Sequence, residues 1–130
     1  MIRNAYRILL VLWAGSLWSL LWVAWTLFSA QPDRHLAGLL AARLFSVETY
    51  LGIAVAALGI ALPARGQFRP LYIAAALLAV NEWIFKRFME QAHAEGSAFG
   101  LSFGAWHGIS AVGYLIGCVL VLWVIWKGRI

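Results

Sequence analysis

The chain has 130 residues, 64% of them hydrophobic and 12% charged, with a formal net charge of +5. A soluble domain carries about 25% charged residues, so this composition excludes an ordinary water-soluble surface and implies an all-α integral membrane protein. The basic excess does not indicate a nucleic-acid partner, because Lys and Arg fall in pairs at the ends of apolar segments, as membrane topology requires. A single cysteine, Cys118, rules out an intrachain disulfide and any CxxC site.

Four apolar segments are predicted to span, at about residues 6–28, 44–62, 71–88 and 103–126. A helix rising ~1.5 Å per residue needs about 20 apolar residues to cross ~30 Å of hydrocarbon. Helices are favoured because backbone groups in lipid must be satisfied within their own segment. The first segment is expected to be retained: its apolar run exceeds the roughly 7–15 residues of a signal peptide, and no small-x-small site precedes Gln31. The breaker-rich stretches QPD at 31–33 and PARG at 63–66 mark connections. Residues 35–45, HLAGLLAARLF, are expected to lie along the outer interface before the second span enters. KRFMEQAHAEGSAFGLS at 86–102 is expected to extend the third helix until near Gly96. The result is one domain over residues 1–130, a four-transmembrane-helix antiparallel bundle with up-down-up-down topology.

Charge sets the orientation. Arg3, Arg7, Arg65, Arg69, Lys127 and Arg129 fall on one side with no acid. Arg34, Arg43, Lys86 and Arg87 fall on the other, with Asp33, Glu48, Glu82, Glu90 and Glu95. The more basic side faces the cytoplasm, so both termini are expected there, in a bacterial inner (cytoplasmic) membrane. Trp123 and Trp126 suit the inner aromatic belt, Trp83 and Trp106 the outer one, and Trp18, Trp22 and Trp25 form a stripe for packing or lipid contact.

A polar layer is expected about one turn below the outer ends of the spans: Glu48 on the second, Asn81 and Glu82 on the third, His107 on the fourth. Ionisable groups at such depth are costly and mark candidate sites. On the fourth segment Phe103, His107, Ser110, Tyr114 and Cys118 share one helical face, which adds Ser110 and Tyr114 to the layer. His107 can serve as a helix-packing residue, a metal or haem ligand, or a station on a proton path. It is expected to be buried and paired with Glu48 or an outer-end group of the third helix, and Glu82 is expected to pair with Lys86 at i,i+4.

His107, His93 and Glu90 form a candidate metal set, with His93 and Glu90 at i,i+3 but no compact ligand motif. A bis-histidine haem lacks a second histidine within a span, so no cofactor is expected. No nucleotide loop, nucleophile elbow or zinc-protease helix is present, and no enzymatic activity is expected. Gly52 and Gly59, Gly104 and Gly108, and Gly113 and Gly117 are small-residue positions where helices can approach closely.

RILLVLWAGSLWSL in the first helix, AARLFSVETYLGI entering the second, the Asn81 position in the third and FGAWHGISAVGYLIG in the fourth resemble a bacterial membrane family of unknown function related to the eukaryotic transmembrane protein 205 group. The most specific element is F-x-x-x-H-G-x-S, met by Phe103, His107, Gly108 and Ser110. The resemblance implies a four-helix membrane protein without established catalytic activity. The link of the eukaryotic relatives to platinum-drug resistance hints at metal handling. Two methionines, Met1 and Met89, and one cysteine are poor provision for soft Cu(I), which argues against copper transport. Beyond the lipid bilayer, the expected partners are other membrane proteins or further copies of the chain. The leading expectation is an accessory or assembly subunit of a larger membrane complex. The alternative is a transport or metal-handling protein using the outer Glu/His layer.

Overall fold

A computed structural model describes residues 1–61 and 69–127. Its helices are α1 (Ile2–Ala30), α2 (Arg34–Ala61), α3 (Arg69–Val80), a π-helical turn (Asn81–Phe85), α4 (Lys86–Glu95) and α5 (Phe103–Lys127). Three of them, α1, α2 and α5, are long and apolar enough to cross a membrane. The PARG connection with Arg65, and Arg129 near the C-terminus, lie outside the described residues.

The third rod is continuous despite its three parts. Val80 (φ −62°, ψ −43°) and Lys86 (φ −60°, ψ −42°) both keep right-handed helical geometry, and the Lys86 N–H reaches back to the Asn81 carbonyl. The rod therefore runs from Arg69 to Glu95 with one widened turn in its middle.

Local chemistry explains where the helices stop. Asp33 Oδ1 accepts from the backbone N–H groups of His35 (3.0 Å) and Leu36 (3.2 Å), capping the start of α2. Gly96, with φ 86°, closes α4 in the left-handed conformation that glycine adopts without a Cβ penalty. The chain then reverses in a tight turn, with Ala98 N–H bonded to Leu101 O (2.9 Å) and Leu101 N–H to Ala98 O (3.0 Å). Its two central residues, Phe99 (φ 50°) and Gly100 (φ 76°), both have the positive φ of a type I′ turn. Ser102 Oγ accepts from Ala105 N–H at 3.2 Å and caps α5.

Residues 35–45 do not form a separate interfacial piece. They are the first turns of α2, which runs unbroken from Arg34, because the Asp33 cap starts the helix there and no breaker interrupts it. Glu48 consequently lies near the middle of its helix rather than one turn from its end. Ser16, its partner, lies near the middle of α1.

Contacts fix the topology. Tyr6 meets Val55 and Ser16 meets Glu48; Thr49 meets Leu78 and Ser46 meets Glu82; Asn81 meets Ser110 and Phe85 meets Trp106. In each series one number rises as the other falls, so successive rods are antiparallel. Helix α5 returns against α1, closing a four-membered ring with up-down-up-down order. Leu10, Leu17, Leu71, Cys118 and Val121 fill its centre. A second apolar cluster of Ala92, Ala98 and Trp106, with Phe85, Phe88 and Met89 against it, seals the end where α4 meets α5.

The glycines divide. Gly52 is pressed between Trp13 and Leu78: a Cβ there would stand 2.7 Å from Trp13 Cζ2 and 3.0 Å from Leu78 Cδ1. Gly59 is buried; Gly113 faces the Asn81 amide and Gly117 the Ala74 backbone. Gly104 and Gly108, expected to pack as well, are exposed; a Cβ at Gly108 would meet nothing within 4 Å. The reason is the rotation of α5, whose inward line begins at Trp106 and continues through Gly113, Tyr114, Gly117, Cys118, Val121 and Val124.

Candidate functional site

The polar side chains form a belt at mid-height of the bundle, with every neighbouring pair in the ring joined by a side-chain hydrogen bond. Between α1 and α2, Ser16 Oγ donates to Glu48 Oε1, and one end of the interface is pinned by Tyr6 Oη donating to Val55 O at 2.8 Å. Between α2 and α3, Thr49 Oγ1 lies 3.1 Å from Phe45 O and 3.4 Å from Leu78 O. Between the third rod and α5, Asn81 Nδ2 donates to Ser110 O at 3.1 Å. The circuit closes where Tyr114 Oη donates to Leu17 O. Its ring also meets Phe45 edge-on at 5.0 Å. Inside a membrane such bonds contribute about 0.6 kcal/mol each.

A second polar cluster sits in the α2–α3 groove. Ser46 Oγ lies 2.7 Å from Glu82 Oε1, and Lys86 Nζ donates to Ser46 Oγ (3.2 Å) and to both Glu82 oxygens (3.2 and 3.3 Å). The expected i,i+4 pair thus forms, with Ser46 from the adjacent helix as a third member. It does not merge with the belt. Ser46 and Glu48 are two residues apart on a helix and point in opposing directions, the first towards Glu82 and the second towards Ser16.

The candidate layer is therefore split. Glu48, Asn81 and Tyr114 join the belt by side chain, Ser110 joins it through its backbone carbonyl, and Glu82 belongs to the groove cluster. His107 belongs to neither. It is exposed, and its ring stacks on Phe103 one turn earlier (centroids 6.0 Å apart, planes 16° apart). The expectation that His107 is buried and paired with Glu48 or an outer-end group of the third helix is overturned: His107 is exposed, Trp106 takes the inward position, and Ser16 is the partner of Glu48. Nor does the candidate metal set converge. His93 contacts the same Phe103 ring at 5.7 Å, Glu90 is exposed, and among the described residues no group of three or more His, Cys, Asp or Glu could hold a metal ion.

Trp106, assigned to the outer belt from sequence, is instead buried, with Nε1–H donating to Ala98 O at 2.9 Å. Sequence reasoning also missed Ser16, Thr49 and Trp13. An isolated hydroxyl in the middle of an apolar segment was the available signal for Ser16 and Thr49, since such a group needs a local or cross-helix acceptor. Four buried polar atoms have no hydrogen-bond partner among the described residues: Trp13 Nε1, Trp18 Nε1, Glu48 Oε2 and Asn81 Oδ1.

An antiparallel all-helical bundle, with three helices fit to cross a membrane and a hydrogen-bonded polar belt inside an apolar exterior, fits the class of integral membrane proteins. Within that class the chain belongs to the DUF4149 family, a domain of unknown function, which it matches over residues 8–98. That match takes in most of α1, all of α2, the third rod and the start of the reversing turn, and stops before Phe103 and His107. No curated protein and no solved structure matches the chain.

Proposed function

We propose that the chain is a small non-enzymatic membrane protein serving as an accessory or assembly subunit of a larger membrane complex in a bacterial inner membrane. The observation that carries this reading is how the interior polar groups are used: the belt joins each neighbouring pair of rods, and Glu82 with Lys86 clips α2 to α3. The outward surface is apolar, with Val112, Ile116 and Val119 exposed along α5, and the small residues Gly104 and Gly108 leave room there for a neighbouring helix to come close.

In this reading the rod from Arg69 to Glu95 carries the third span, at about residues 71–88, and both termini are cytoplasmic, a placement supported by the basic excess on that side. Kinship with the transmembrane protein 205 group rests on the resemblance of the four quoted stretches. Transport or metal handling through an outer Glu/His layer is the weaker alternative, because Glu48 meets Ser16, Glu82 meets Ser46 and Lys86, and His107 is exposed against Phe103.

The test is gentle extraction from the native membrane, followed by cross-linking and identification of co-purifying proteins. A reproducible, stoichiometric set of membrane proteins is the expected result. A chain that purifies without partners but with stoichiometric metal would sink the accessory reading.

A further inference from the structure

We infer that the α1–α2 interface binds one internal water molecule, held between the indole N–H of Trp13 and the free carboxyl oxygen of Glu48. Trp13 is 3% exposed and Glu48 5%. Trp13 Nε1 is a donor and Glu48 Oε2 an acceptor, and neither has a partner among the described residues.

The two groups sit on adjoining turns of one interface. Ser16 donates to the other Glu48 oxygen, and Trp13 lies three residues before Ser16 on the same side of α1. On α2, Gly52 follows Glu48 by one turn, and the Trp13 ring lies across it: a Cβ at Gly52 would be 3.4 Å from Trp13 Cε2, the carbon bonded to Nε1. One helical turn is ~5.4 Å, and two successive hydrogen bonds through a water oxygen span about the same distance. Buried waters typically fill this office, bonding to polar groups that would otherwise be unsatisfied.

The chemistry selects the ligand. Whatever sits there must accept from an N–H and donate to a carboxyl oxygen. A metal cation cannot accept, and the indole N–H dipole repels it. A larger alcohol or quinol is disfavoured because the Trp13 ring already closes on Gly52. Water meets both demands and would occupy this position whatever the protein assembles with.

The experiment is infrared difference spectroscopy of the membrane-embedded protein in ordinary water and in H2(18)O. The Glu48 carboxyl stretch is assigned by its loss in Glu48→Gln. Trp13→Phe, which keeps a flat ring and removes only the donor, is expected to shift that stretch and to abolish an 18O-sensitive water band. Trp18→Phe removes an unpartnered indole from a different side of α1 and is expected to change neither. An unmoved carboxyl stretch in Trp13→Phe, no 18O-sensitive band in the wild type, or an equal shift in Trp18→Phe would each overturn the assignment. Should Trp13→Phe fail to fold, wild-type protein labelled with 15N-indole tryptophan decides it by solid-state NMR. Magnetisation is expected to pass from water to an indole proton whose shift moves in Glu48→Gln, and no such transfer means no such water.

Discussion

Glu48 and His107 are both ionisable side chains on apolar helices, and they finish in opposite surroundings. Glu48 lies in the middle of the bundle, held by Ser16. His107 lies near the N-terminal end of α5, exposed and stacked on Phe103. The belt and the end where α4 meets α5 also differ in how they are built. The belt is made of cross-helix hydrogen bonds around close backbone contacts, whereas that end is fastened by Trp106, the Ala98–Leu101 turn and an aromatic cluster. The difference teaches that polar type alone does not locate a structural site. Depth and the direction of the helical face do.

The sharpest way to break this comparison is to place bulk in the belt. Gly52→Leu must displace both Trp13 and Leu78 and is expected to destabilise by about 3 kcal/mol, the upper end of ordinary overpacking. Gly108→Leu, whose position is open, should stay within about 0.5 kcal/mol. Reversible unfolding in mixed micelles reads both, and equal losses would erase the distinction between the two regions.

At the end where α4 meets α5 the turn is the sensitive point. Gly100→Ala puts a Cβ on a residue with φ 76° and is expected to cost ~1–2 kcal/mol. Amide exchange of Leu101 should accelerate with it, while exchange around Ser16 stays as it was. Smaller again is Ser16→Ala, which removes the donor to Glu48 at about 0.6 kcal/mol and should loosen the middle of α1 without touching the turn. Smallest is His107→Ala, expected within about 0.5 kcal/mol of wild type. A loss from His107→Ala larger than that from Ser16→Ala would mean that His107 has a partner and that the ranking is inverted.

Much of the architecture was legible. Long apolar runs gave the rods, and breakers gave the first connection. Gly96 ended the extension, and the i,i+4 spacing of Glu82 and Lys86 gave their pair. Four things were hidden for physical reasons. Residues 35–45 were expected along the interface, yet His35 and Arg43 are exposed on a helix that runs unbroken beneath them. On α5 the spacing of Phe103, His107 and Ser110 established a shared face without saying which way it pointed. An indole reads equally well as lipid belt or core, so Trp106 could not be placed until the Ala98 carbonyl that receives its N–H was seen. Ser16 carries no charge to draw notice, and its importance depends on an acid on another helix.

The π-helical turn at Asn81–Phe85 bears on how this rod can vary between sequences. A widened turn is an α-helix holding one residue more than its register requires. Each residue advances the helix by about 100°, so the extra one sets the angular phase between the half that carries Ala74 against Gly117 and the half that carries Phe85 and Phe88 against Trp106. A single deletion inside the turn could be absorbed by tightening it to α, leaving both halves in phase. The same deletion elsewhere in the rod would swing one half out of its groove. Length differences of one residue are therefore to be sought at positions 81–85 when related chains are aligned.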